Sequence, residues 1–193
     1  MRVVINLVLV AVVAFLLFVL YQSIKEPIAF KQERDLRQDA VVDKLIRIRD
    51  AQKAYAGVTG GSYADSFDSL KYVLLNDSFA VEQIFEQTDP DSDEEFVRVV
   101  TMVPARDSIA RAGIVLDSLE YVPYTAGKKF TISADTLTYQ KTLVDVVEVG
   151  VPISSFMGKY ADVKYKKYDN NYDPNKVLKF GDMNRPTLSG NWE

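Results

Sequence analysis

The chain has no cysteine and no histidine. Without thiols there is no disulfide and no thiolate metal site. Without imidazoles there is no Ser-His or Cys-His nucleophile pair, no histidine zinc site and no haem held by either residue. The usual base of neutral-pH enzyme chemistry is therefore missing. An excess of positive charge is missing too: 23 Lys+Arg against 27 Asp+Glu leave a net charge of −4, which removes the basic footprint of a nucleic-acid binder. There is one tryptophan, in the terminal Asn191-Trp192-Glu193, placed to dock the tail on the domain or on a neighbour. No internal repeat and no glycine-rich nucleotide motif is present. What remains is 193 residues, 48% hydrophobic and 26% charged, room for one membrane segment and one ordinary domain with a packed core.

From Val3 to Tyr21 run 19 residues without a charge and with one polar side chain, Asn6. As a helix this stretch covers roughly 28 Å, close to the hydrocarbon thickness of a bilayer. A cleaved signal peptide would end in small residues of the Ala-x-Ala kind, whereas this run leaves through Tyr21-Gln22-Ser23-Ile24-Lys25-Glu26, so a retained anchor is expected. Before the run stands Arg2; after it come Lys25, Lys31, Arg34 and Arg37, diluted by Glu26, Glu33, Asp35 and Asp39. Counted literally, these flanks favour a cytoplasmic C-terminal domain.

Pro27 lacks an N–H and clashes with the carbonyl four residues back, which predicts a kink or an end near Ser23 and a membrane unit over 1–27. Over 28–57 a helical pattern resumes. Val41, Leu45, Ile48, Gln52 and Tyr55 alternate spacings of four and three, and Leu36, Val42, Ile46 and Ala51 widen the stripe into an amphipathic helix. Its other face carries Arg34, Arg37, Lys44, Arg47, Arg49 and Lys53 among Asp35, Asp39, Asp43 and Asp50, which reads as a solvated face or as contact with lipid headgroups. The stretch is too short for a coiled coil, so the stripe is expected to pack on its own C-terminal domain, 58–193. The glycines of Ala56-Gly57-Val58-Thr59-Gly60-Gly61 close the helix, and a second short helix follows over Ser66 to Leu75.

The order of these features resembles type IV pilin-like proteins, and among them the pseudopilins of type II secretion systems. The quoted residues are Ile48-Arg49-Asp50-Ala51-Gln52-Lys53-Ala54-Tyr55, then Gly61-Ser62-Tyr63, then Leu70, matching Ile/Leu-x-x-Ala-x-x-x-Tyr, a loop, Gly-x-Tyr and a later Leu. The likeness covers about the first 75 residues, by order of features more than residue by residue. It implies that Tyr55 and Tyr63 pack across the glycine turn and fix the long helix to the domain. It also implies a bacterial inner-membrane protein with a periplasmic C-terminal domain, against the charge count, and an assembly role among other subunits. Prepilins carry a basic leader ending in Gly, with a Glu soon after. This chain opens Met1-Arg2-Val3-Val4 with no acid in the span, so prepilin processing is not expected.

In the C-terminal domain 79–87 is a helical candidate. Phe96 to Val103, Lys129 to Ser133 and Leu143 to Val151 read as strands, with 161–168 and 177–180 as weaker ones. Helices first and strands afterwards make the class α+β, an N-terminal transmembrane helix continuing into an amphipathic helix that packs on an antiparallel sheet. Asp89, Asp91 and Asp93 open like a calcium loop, but Glu94 stands where Gly is needed and Val100 where a bidentate Glu belongs, so a solvated acidic loop is the simpler reading. Asp169-Asn170-Asn171-Tyr172-Asp173 reads as a turn before Pro174, with calcium as the alternative that the resemblance adds. Lys164, Lys166 and Lys167 among Tyr160, Tyr165 and Tyr168 form either a basic stacking surface or a lysine-protected edge strand, the latter suiting the net charge better.

No spacing selects a catalytic pair, so no enzyme activity and no cofactor are expected. The expected function is structural: a single-pass anchored component of a pilus-like or secretion apparatus, with a membrane-tethered ligand-binding or sensory domain as the alternative. Partners would be the lipid bilayer and other protein subunits, with copies of itself as one alternative, and no nucleic acid. The assembly contacts expected are Asn6, the one side chain in the span able to hydrogen-bond a neighbouring helix, and Val41, Leu45 and Ile48, divided between the chain's own sheet and a partner.

Overall fold

A computed structural model describes residues 1–86 and 96–193. The element order is α1 (Arg2–Thr59), α2 (Phe67–Asn76), β1 (Ser78–Glu86), β2 (Phe96–Pro104), α3 (Ala105–Arg111), β3 (Thr131–Tyr139), β4 (Thr142–Pro152) and β5 (Val177–Gly181), with short 3₁₀ turns between. The class is α+β: a long apolar N-terminal helix, a β1-β2 hairpin and a three-stranded antiparallel sheet in the order β3-β4-β5.

Pro27 does not end the helix near Ser23: α1 is continuous through it, 58 residues in all, as the expected continuation of the span into the amphipathic helix requires. The missing hydrogen bond and ring clash act locally, at a cost of about 3 kcal/mol. That cost is opposed three residues later by full burial of the Phe30 side chain. The helix ends where Gly60 turns left-handed at φ 78° and the Gly61 N–H closes on the Ala56 carbonyl at 2.8 Å. At α2 the Ser66 hydroxyl accepts the Ser69 N–H, capping the helix where the sequence placed its start.

The helix expected over 79–87 is a strand. β1 pairs with β2 from Ser78 opposite Pro104 to Glu86 opposite Phe96, and Gln87 lies outside the described residues. Phe79 and Val81 are half-buried while Ala80 and Glu82 are exposed, a period of two that the short apolar run conceals until a partner strand supplies the ladder. The strand expected over 161–168 is also corrected. Val163–Tyr168 is a 3₁₀ helix whose Asp162 carboxylate accepts the Lys164 N–H at 2.8 Å, so its lysines protect no strand edge. β3 begins at Thr131 and runs on to Tyr139, beyond the predicted stretch, and α3 was not anticipated.

One cluster of buried side chains joins the elements. It holds Phe30, Val41, Leu45, Ile48 and Ala51 of α1, Leu70 and Leu74 of α2, Val147, Val149 and Val151 of β4, Leu178 and Phe180 of β5, and Phe156 and Met157. Gln52 is the one buried polar residue among those described. Its amide donates to the Ala64 carbonyl and accepts the Ala64 N–H, both at 2.9 Å, pinning the loop after α1 back onto the helix.

Candidate functional site

The first 25 residues are exposed throughout, and α1 is long and apolar enough there to cross a membrane by length and composition. Coverage begins at Glu26, Pro27 and Phe30, and every charge in the uncovered part lies at its ends, at Arg2 and Lys25. The site is therefore the bare part of α1 together with the shoulder on which the domain meets it.

Phe30 is the hub of that shoulder. Its ring stacks on Tyr165 at 5.4 Å between centroids and meets Tyr160 at 5.5 Å and Tyr172 at 5.0 Å edge-on, with Tyr168 tilted at 6.1 Å. Offset and edge-on geometries are those the ring quadrupoles favour. The rings also satisfy their polar tips: the Tyr172 hydroxyl donates to the Tyr160 carbonyl at 2.5 Å and the Tyr168 hydroxyl to Glu26 Oε2 at 2.6 Å. Lys159, Lys164 and Lys167 set their ammonium groups 4.8, 5.0 and 4.5 Å from the ring centres of Tyr160, Tyr165 and Tyr168. The 3₁₀ geometry explains why two residue types interleave so regularly, because buried Tyr165 and half-buried Tyr168 stand three apart on one side while Lys164, Lys166 and Lys167 face outward.

Burial, with the Asp162 and Asp173 carboxylates and Tyr165 adding to it, pushes the Tyr172 hydroxyl up to about 12. Unfolded, it ionises near 10. A folded value above the unfolded one means that the contribution is complete below about pH 10 and is lost as pH rises through about 12, because the unfolded chain gives up this proton first. Tyr172→Phe should abolish this component. Denaturant midpoints of both proteins at about pH 9 and about pH 11 are expected to fall more steeply for the unmodified chain, and equal slopes would contradict the assignment.

The residues singled out from the sequence divide clearly. Asn6 is exposed on the bare helix. Val41, Leu45 and Ile48 are fully buried inside the chain's own core, which corrects their assignment to a partner contact: no surface of theirs is left to share. Tyr55 and Tyr63 are half-buried against that core and line one surface groove, where the Tyr55 hydroxyl lies 3.2 Å from Ser69 Oγ. The face read as solvated is in part turned inward. Arg34 pairs with Asp169, Arg37 donates to the Phe156 carbonyl at 2.6 Å, and Lys44 reaches Ser118 Oγ at 3.3 Å. Lys31, Asp35, Asp39, Asp43, Arg47, Asp50 and Lys53 are the charges left exposed on that stretch.

Asp89, Asp91 and Asp93 lie outside the described residues. In the Asp169 to Asp173 segment each aspartate accepts the N–H two residues on, from Asn171 and Asn175 at 2.9 Å, which is the geometry of a turn. Among the described residues no group of three or more Asp or Glu converges to hold a metal. The Phe30 hub and the Gln52 clamp were not anticipated. The spacing of Tyr160, Tyr165, Tyr168 and Tyr172 was the available signal for the first, since tyrosines this dense seldom all face water.

No protein-family model, curated protein or solved structure matches this chain.

Proposed function

We propose that the chain is a single-pass membrane protein whose α+β domain works by assembly with other subunits, in a pilus-like or protein-secretion apparatus, rather than by catalysis. One observation carries the reading: a single helix is bare and apolar over its first 25 residues and locked into a folded domain over its second half. A rigid rod of about 85 Å joins the two parts, so force or position set in the bilayer is passed directly to the domain. The stripe from Val41 to Ala51 serves as the amphipathic attachment to the sheet, and a periplasmic domain on an inner membrane is what the pilin-like resemblance implies.

With Val41, Leu45 and Ile48 committed inward, contacts between subunits fall to the bare helix and to the outer row Asp35, Asp39, Asp43 and Arg47. Spans gain little from the hydrophobic effect within lipid, so packing and the Asn6 amide must decide their association. Single cysteines at Asp39 and Asp43 are expected to capture a neighbouring subunit in native membranes. Asn6→Leu should reduce that capture about three- to tenfold, the equivalent of one interhelical hydrogen bond. A chain that stays monomeric at every site while the purified protein binds a small ligand would favour the tethered sensory domain instead.

A further inference from the structure

We propose that the exposed lysines of the 158–168 segment form a collar that binds the anionic phospholipid headgroups of the bilayer crossed by α1, seating the domain on the membrane surface. The proposal rests on the membrane reading above and holds for either orientation. Three observations lead to it.

The first is position. Lys159 and Tyr160 line a groove together with Phe18, Tyr21, Lys25 and Ala29 of α1, so this segment reaches back to the level of the apolar run. Glu26, which accepts the Tyr168 hydroxyl, lies five residues past Tyr21, or about 7–8 Å along the helix. The headgroup layer on one side of a bilayer is about 5–8 Å deep. With Val3–Tyr21 in the hydrocarbon, the segment has headgroups for surroundings.

The second is charge. Lys159, Lys164, Lys166 and Lys167 are all exposed. Of the neighbouring acids, Asp169 is paired with Arg34, while Glu26 accepts the Tyr168 hydroxyl and Asp162 the Lys164 N–H, so two carboxylates offset part of four ammonium groups. In a chain of net −4 this leaves a local excess of outward ammonium groups. The third is composition. Val163 is 54% exposed among these lysines, and the Lys164 and Lys167 ammonium groups stand 5.0 and 4.5 Å from the centres of tyrosine rings, whose apolar bodies and polar tips suit the membrane interface. A surface built only to stay in water has no use for this combination.

The test uses the full chain in nanodiscs of phosphatidylcholine alone or of phosphatidylcholine mixed with phosphatidylglycerol, read by amide hydrogen exchange. Exchange over 158–168 is expected to slow at least about tenfold in the anionic discs relative to the neutral ones, a modest share of what four interfacial lysines can supply. Replacing the four lysines by glutamine should remove the difference, with exchange in β4 and β5 reporting that the fold persists. High salt applied to the unmodified chain should remove it as well, without any substitution. Protection of Val3–Tyr21 in both discs combined with equal exchange over 158–168 overturns the collar and leaves the anchor standing, as does slowing that ignores lipid charge. Free exchange through Val3–Tyr21 overturns the anchor and the collar together.

Discussion

Phe30→Ala is expected to lower the stability of the domain by about 3–5 kcal/mol. The side chain is fully buried, and four tyrosine rings lie within 6.1 Å of its own, so truncation removes both transfer free energy and the edge-on and stacked contacts. The cavity cannot close easily, because Tyr172 is held by the Tyr160 carbonyl and Tyr168 by Glu26. The loss should be felt beyond the core. Phe30 is the first fully buried residue of α1, so without it the shoulder detaches from the helix and the uncovered part lengthens. Denaturant unfolding of the full chain in detergent, followed by the near-ultraviolet signal of the tyrosines, measures the change. Phe30→Leu should recover part of it, and Leu36→Ala, at a residue 57% exposed on the same helix, should stay within about 0.5 kcal/mol. A loss below about 1 kcal/mol for Phe30→Ala would show that the ring cluster does not hold the helix.

Gly181→Ala is expected to be at least as damaging. Gly181 sits at φ 79° at the end of β5, opposite Glu148, and a methyl group there would collide with the Val147 carbonyl oxygen. The left-handed backbone alone costs an alanine about 1–2 kcal/mol. The larger part comes from displacing β5, whose Leu178 and Phe180 are buried in the core, so a total of about 4 kcal/mol or more is expected. A built-in contrast is available in Gly57, inside α1, where an added methyl meets nothing within 4 Å. Gly57→Ala should stabilise by about 0.5–1 kcal/mol through the unfolded chain. Thermal melts of both variants beside the unmodified protein decide the matter, and two shifts of the same sign would contradict the account.

Much of the frame was legible from local chemistry. The length and uniformity of Val3–Tyr21, the glycines after Ala56, the short helical run from Ser66 and the valine-rich runs of β2 and β4 each depend on neighbours a few residues away, and each appears in the fold. The β3-β4 turn was not legible. Its corners Gln140 and Lys141 are both left-handed, at φ 49° and 70°, without the Asn or Gly that normally marks such a hairpin, so the flanking strands impose a conformation that the turn residues do not choose.

By itself, then, the sequence determined an apolar segment of bilayer length, a helical stripe after it and an α+β chain with no thiol or imidazole chemistry. Only the tertiary structure decided that α1 runs through Pro27, that the 79–86 run is a strand and 163–168 a 3₁₀ turn, and that Val41, Leu45 and Ile48 face the domain's own core. The deciding partners lie outside each local run: Tyr160 to Tyr172 for Phe30, the next strand β2 for β1, and one buried cluster that Val41, Leu45 and Ile48 share with side chains from other elements. Periodicity shows that a face will be buried, but the burial energy that selects one partner over another, or overrides a proline, comes from contacts between residues remote in sequence.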